Sequence, residues 1–219
     1  MQNPKILRRR IFYQDLYFYQ KSDVIYQLTF VFTQRFLDKY KDRTVDQMVQ
    51  AARSCKQNIV EGIEAGEASS ETEIKLLNVA RASLQELRED YEDYLKARNL
   101  TIWDKEHLRF KSMVEFCRAK NQWDEYEKYA SNWNDEEIAN ISLSLCHIID
   151  KMLSKYITTQ TNIFEQQGGI RERMHAARTG YRQKQDEEMM ALEAENKRLK
   201  EENARLKEEL ERLVKTSDD

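Results

Sequence analysis

The sequence predicts an all-α protein, chiefly because of its low glycine and proline content. Five of the 219 residues are glycine and one, Pro4, is proline, where average usage would give roughly 15 and 11. A β-sandwich or barrel needs turn residues about every 8–12 positions, and a dinucleotide-binding fold needs a glycine-rich phosphate turn. Charged residues make up 34% and apolar residues 40% of the chain. We therefore expect an up-and-down four-helix bundle with one additional short helix, followed by a long C-terminal helix that forms a coiled coil.

The bundle is expected between residues 23 and 167. Apolar residues at intervals of three and four predict the first helix at residues 23–40, where Ser22 and Asp23 are suitable N-cap types. A capping box precedes the second helix, predicted at residues 45–64. A second capping box at Ser70 begins the third helix, which extends to about residue 98.

The second half of the bundle has a less regular pattern. Residues 103–118 have the spacing of a short helix. Residues 121–133 are polar and aromatic, which suits either a loop or an interrupted helix. A long helix follows, with Asn134 or Asp135 as its N-cap, and ends near Gln166.

The adjacent glycines at residues 168–169 mark the main expected boundary, because apolar residues become sparse after them. Beyond it we predict a basic linker helix at 168–186, a coiled coil at 187–215 and a disordered tail at 216–219. Gly180 lies inside the linker helix, and a glycine there costs roughly 1 kcal/mol relative to alanine. We therefore expect the helix to be weakest at this residue.

Leucine at every seventh position in the C-terminal segment predicts a parallel, two-stranded coiled coil. With leucine at position d of each heptad, the expected seam consists of Met189, Leu192, Asn196, Leu199, Asn203, Leu206, Leu210 and Leu213. In this register Glu195 faces Lys200 of a partner chain, and asparagine at position a favours two strands in register. The alternative is a single solvated helix held by ion pairs between residues four apart, but such a helix does not require leucine at every seventh position.

Two basic segments stand out in a chain whose net charge is −3 and are the candidate nucleic-acid contacts. The C-terminal segment places three arginines on one helical face, and its candidate residues are Arg171, Arg173, Arg178, Arg182 and Lys184. The N-terminal segment, residues 1–22, is a basic and aromatic lead-in that contains Arg8, Arg9 and Arg10. Arginines beside aromatic rings are typical of single-stranded nucleic-acid sites. The alternative is a solvated linker helix at the C-terminal segment, and core aromatics with arginines at their rim at the N-terminal one.

The sequence contains no recognisable catalytic or metal-binding motif. Cys55, Cys117 and Cys146 are widely spaced without a CxxC pair, so we expect buried thiols. The histidines are isolated, and the P-loop, nucleophile-elbow and HExxH motifs are absent. We expect no enzyme activity, no cofactor and no metal. With no apolar run that could span a bilayer and no signal-peptide pattern, we expect a cytoplasmic protein without membrane contact.

Several stretches resemble the bacterial four-helix-bundle family of proteins encoded in intervening sequences of 23S rRNA genes, to which the accessory variability determinant of diversity-generating retroelements is related. They are Asp15-Leu16 with Tyr19-Gln20, QAARS at 50–54, NIVEG at 58–62 and ASLQEL at 82–87. The resemblance spans about residues 12–160. It implies a ring-like homo-oligomer, pentameric in the retroelement protein, that binds nucleic acid and a reverse transcriptase through a basic surface. Because this chain is acidic overall, such a role would fall on its two basic segments.

Polar residues in these stretches predict a structural cluster between the second and third helices. Its expected members are Ser54, Asn58, Glu61, Ser83 and Glu86. They recur about one turn apart on each helix, and buried polar groups must satisfy one another. We therefore expect this cluster to set the register between the two helices.

Together these patterns predict a non-catalytic helical oligomerisation and adaptor protein. Its expected partners are other copies of itself, through the parallel zipper and a possible ring of bundles, and RNA or single-stranded nucleic acid. An RNA-handling protein such as a reverse transcriptase is a further expected partner. The alternative is a purely protein–protein scaffold that binds no nucleic acid.

Overall fold

Helices make up nearly all of the described structure. A computed structural model describes residues 11–38 and 40–217, without the side chains of residues 167 and 209–217. After a 3-10 turn at Tyr13–Asp15, the helices are α1 Tyr17–Phe36, α2 Thr44–Ala65, α3 Ser70–Ala97, α4 Phe110–Ala119, α5 Trp123–Ala130, α6 Asp135–Gln167 and α7 Ile170–Ser217. The described ranges contain no strand, so the predicted all-α class is confirmed. The chain forms two units, one ending at Ile170 and one beginning at Arg171.

Four helices of the first unit pack side by side with alternating directions. Helix α1 packs against α2 and α6, and α3 packs against the same two helices. Tyr156, late in α6, donates a hydrogen bond to Glu73 near the start of α3, and Tyr94, late in α3, donates one to Asp135 at the start of α6. The ring of Phe18, early in α1, lies 5.3 Å from that of Tyr156. Helix α6 is therefore antiparallel to both α1 and α3; we refer to α1, α2, α3 and α6 as the bundle.

Helix α1 begins earlier than the sequence predicts. Its first residue is Tyr17, whereas the N-cap types predicted a start at Asp23. The Ser22 hydroxyl does not cap a helix; it donates to the carbonyl of Tyr19, one turn back. Because Phe18 and Ser22 are both buried, apolar packing of this turn outweighs the preference of serine for a cap.

The short helices α4 and α5 are held at their C-terminal ends by two cations of α1. Lys21 is buried, and its ammonium donates to the carbonyls of Cys117 and Lys120 at the end of α4. Arg35 donates to the carbonyl of Ala130, the last residue of α5, and to that of Trp133 in the segment that follows. The last carbonyls of a helix lack partners within it and carry negative partial charge. The two cations therefore fix α4 and α5 against the bundle.

The segment that connects α3 to α6 also departs from the sequence prediction. The expected short helix at 103–118 begins only at Phe110, because Trp103 is tied to α6 instead. The Trp103 backbone N–H donates to Asn140 at 2.7 Å, and its indole N–H donates to Glu136 at 2.8 Å. Within 121–133, predicted as a loop or an interrupted helix, the structure forms α5.

The second unit consists of α7, which follows a break at Gly168. Gly168 has φ = 67°, a conformation that glycine adopts without steric cost. Helix α7 then runs through Gly180 without interruption, where an added Cβ would meet no atom within 4 Å. No helix in the described part of the chain is both long and apolar enough to cross a membrane.

Candidate functional surfaces

The contact between α2 and α3 brings together part of the predicted polar cluster. Ser54 and Ser83 share a hydrogen bond of 2.9 Å, and the Asn58 amide donates to the Ser54 carbonyl at 2.9 Å and to its hydroxyl at 3.2 Å. Glu61 and Glu86 have exposed side chains and form no hydrogen bond with this group in the described structure. The cluster therefore contains two serines and an asparagine, and the two glutamates lie outside it.

Gly62 lies at a close approach of the same two helices. A Cβ built on Gly62 would lie 3.2 Å from the Cγ and Cδ2 atoms of Leu77. Leu77 is completely buried, so it has little space to move away. The glycine of the NIVEG stretch thus allows α2 and α3 to pack closely where the polar cluster also joins them.

The three cysteines are free thiols, and their burial was expected from the sequence. Cys55, Cys117 and Cys146 form no disulfide. Burial raises the pKa of the Cys55 and Cys117 thiols to about 12, so neither is a reactive thiolate at neutral pH. Within the described residues, no group of three or more His, Cys, Asp or Glu side chains is arranged to hold a metal ion.

The basic segment of α7 presents several exposed cations. Arg171, Arg178 and Arg182 are exposed and are separated by seven and four residues, so they share one helical face. Arg173 is half-buried, and Lys184 pairs with Glu188 at 3.8 Å with both side chains largely exposed. This face displays positive charge on a regular helix. The other candidate cations, Arg8, Arg9 and Arg10, lie outside the described residues.

The heptad residues of α7 are exposed along the described part of the seam. The relative accessibility of the large apolar residues Met189, Leu192, Leu199 and Leu206 is between 48% and 61%. Asn196 and Asn203 are also exposed, and the Asn203 amide donates to the carbonyl of Leu199. The side chains of Leu210 and Leu213 lie outside the described residues.

A groove between α4 and α6 is a further candidate site that the sequence did not predict. It encloses about 530 Å³. Its apolar walls are formed by Phe110, Val114, Ile148 and Met152, and its basic lining residues are Lys105, Arg118, His147 and Lys151. The four basic side chains are wholly or partly exposed and the apolar ones are half-buried. We refer to this feature as the cationic groove.

Of the basic residues at the groove, His147 contributes least to its positive charge. Burial and the nearby Arg88 lower the pKa of His147, which favours the neutral imidazole. Each of the two helices shows part of the apolar and basic lining of the groove in its own sequence. Val114 and Arg118 lie one turn apart on α4, and Ile148 lies one turn before Met152 on α6. Only the packing of α4 on α6 combines the two patterns into one site.

A comparison with known protein families finds a similarity in the first part of the chain. A model of the family described as 23S rRNA-intervening sequence protein matches residues 14–119. No curated protein and no solved structure matched the chain. The family match includes all the stretches on which the resemblance was based, at 15–20, 50–62 and 82–87. The predicted resemblance to this family is therefore confirmed over residues 14–119.

Proposed function

We propose that this protein is a non-catalytic helical adaptor that assembles with copies of itself and associates with RNA or with an RNA-handling protein. The observation that carries the proposal is that α7 displays a basic face and an apolar heptad seam on one continuous helix. The family name, which refers to intervening sequences of 23S rRNA, supports the link to RNA.

Self-assembly rests on the seam of α7. A helix that leaves four large apolar side chains about half exposed gains stability when a second helix covers them. Asparagine at positions 196 and 203 limits the strength of the pairing but favours two parallel strands in register. Assembly would bring the basic faces of two chains together and increase their avidity for a single RNA.

Light scattering on the full-length protein tests the seam. Leu199→Glu with Leu206→Glu places charge in the seam, and we expect the molar mass to fall. Ala194→Glu with Ala204→Glu is the matched control, because both alanines are exposed on the same helix but lie outside positions a and d. An unchanged mass in the leucine variant would remove α7 from the assembly mechanism.

Gel-shift titration against single-stranded RNA tests the basic face. Each phosphate contact on a single strand contributes about 0.7 to the slope of log affinity against log salt. Replacing Arg178 and Arg182 by Glu should therefore weaken binding and reduce that slope by about 1.4. Arg198→Glu with Arg205→Glu is the matched control, since these exposed arginines of α7 lie outside the basic segment. Equal effects of the two pairs would contradict a localised RNA contact.

The second candidate function is a purely protein–protein scaffold. The cationic groove favours it, because its walls are apolar and carry few groups that could pair with bases. A protein that binds no RNA at low salt but still assembles through α7 would support this second candidate.

A further inference from the structure

The cationic groove has walls arranged like those of a helix-binding groove. On α4, Phe110 and Val114 lie one turn apart; on α6, Ser144, Ile148 and Met152 follow at intervals of four residues. Residues 144–152 extend over about 12 Å, or two helical turns. The groove is therefore long enough to receive two apolar side chains that lie one turn apart on a partner helix.

Three cations around the groove have no acidic partner among the described residues. Lys105, Arg118 and Lys151 form no ion pair with any residue that the structure describes. By contrast, Arg109, one residue before α4, pairs with Glu137 of α6 at 2.6 Å. Unpaired cations therefore surround the apolar walls of the groove. The paired cation, Arg109, lies elsewhere along the contact between α4 and α6. Charge complementarity indicates a partner that brings carboxylates together with apolar groups.

We infer that the cationic groove binds an acidic amphipathic helix of a partner protein. Two apolar side chains of that helix enter the groove between α4 and α6, and the carboxylates that flank them pair with Lys105, Arg118 and Lys151. The inference rests on the adaptor role proposed above and specifies the chemistry of the protein partner. Amphipathic helices bind to grooves of this kind through anchors at intervals of three and four residues.

The character of the walls favours a protein helix over RNA. Single-stranded nucleic acid is held by aromatic stacking platforms, but Phe110 and the imidazole of His147 are the only aromatic rings among the named lining residues. Val114, Ile148 and Met152 are aliphatic and match the leucine or isoleucine anchors of a helix. Methionine also adapts its shape to different apolar anchors.

Fluorescence anisotropy with two designed helical peptides tests the inference on the full-length protein. Both peptides carry the same leucine anchors; one has glutamate and the other lysine at the flanking positions. We expect the acidic peptide to bind at least about tenfold more tightly than the basic one. Arg118→Glu with Lys151→Glu should abolish or reverse this preference. Arg53→Glu, an exposed cation of α2 outside the groove, should leave it unchanged.

A wall variant tests the apolar part of the site separately. Met152→Gln keeps the length of the side chain but places an amide in the groove, so we expect several-fold weaker binding of the acidic peptide. Because Met152 is only half-buried, circular dichroism should show unchanged helix content. Equal affinity of the two peptides, or failure of the acidic peptide to bind the folded protein, would overturn the inference.

The remaining outcomes separate other occupants from the proposed one. If RNA displaces the acidic peptide in a charge-dependent manner, the groove is a nucleic-acid site and the inference is wrong. If the groove variants lower the molar mass of the protein, the occupant is a second copy of this chain, and the inference of a separate partner is also wrong. Loss of RNA binding in the α7 variants with unchanged peptide binding would show that the two sites act independently.

Discussion

The bundle and α7 differ in how far their large apolar side chains are buried. In the bundle, residues such as Leu28, Leu84 and Leu87 are almost completely buried within a single chain. In α7, Leu192 and Leu206 remain 58% and 54% exposed. The bundle therefore completes its core without a partner, whereas α7 presents apolar surface that a single chain leaves uncovered. The same type of residue stabilises folding in one unit and is available for assembly in the other.

The largest expected effect comes from the same substitution made in both units. Leu87→Ala should lower the free energy of unfolding of the bundle by about 2–5 kcal/mol, because it leaves a cavity in a packed core. Leu199→Ala in α7 should leave bundle unfolding unchanged. The three tryptophans, Trp103, Trp123 and Trp133, all belong to the first unit, which contains the bundle, so tryptophan fluorescence during denaturation reports on the unfolding of that unit. If Leu87→Ala and Leu199→Ala lowered the free energy of unfolding by similar amounts, the division into two units would be contradicted.

A smaller effect is expected when the buried cation of α1 is removed. Lys21→Met leaves the carbonyls of Cys117 and Lys120 without their donor and should cost about 1–3 kcal/mol. The fluorescence unfolding assay measures this loss. Lys41→Met is the matched control, since Lys41 is exposed. A Lys21→Met protein as stable as the parent would show that the cation is not needed to hold α4.

The polar cluster should contribute less than the buried cation. Ser83→Ala removes the hydrogen bond to Ser54 and should cost about 0.5–1.5 kcal/mol. A double-mutant cycle with Ser54→Ala isolates the coupling between the two hydroxyls. A coupling energy near zero would contradict their role in fixing the register of α2 against α3.

The smallest effect concerns Asp90, which lies in an acidic patch on α3. Burial, then the charges of Asp93, Glu86 and Glu89, raise the pKa of Asp90 from 3.8 to about 6. The folded protein therefore holds a proton that the unfolded chain has released, and this contribution to stability is lost as pH rises from about 4 to about 6. Asp90→Asn should be the more stable protein at pH 7 and show a flatter pH dependence in this range. If the free energies of unfolding of the parent and Asp90→Asn proteins changed in parallel with pH, the prediction would be contradicted.

The sequence predicted the parts of the fold that depend on local pattern. The capping boxes at Thr44 and Ser70 led to helix starts close to those observed, and Ser69 supplies the observed N-cap of α3. The predicted end near Gln166 is one residue from the observed end of α6. These features follow from residues close together in the chain, which is why a single sequence reveals them.

The features that the sequence did not predict depend on contacts between residues that are far apart in the chain. The start of α1 was wrong because burial of Ser22 overrides its capping preference. The cationic groove requires α4 to lie on α6. No local pattern in residues 110–119 indicates which helix α4 packs against. The glutamates Glu61 and Glu86 were expected in the polar cluster because helical spacing alone does not distinguish a contact face from its exposed edge.

The cation that caps α4 also has a consequence for the order of events during synthesis. Lys21 is 96 residues before Cys117 in the chain, and ribosomes add about 5–20 residues per second. For about 5–20 s after Lys21 is added to the chain, the carbonyls that accept from its ammonium do not yet exist, and the charge must remain in water. Anchoring of α4, and with it completion of the groove wall, is therefore a late step of folding on the ribosome, reached only after the N-terminal half of the bundle has been synthesised.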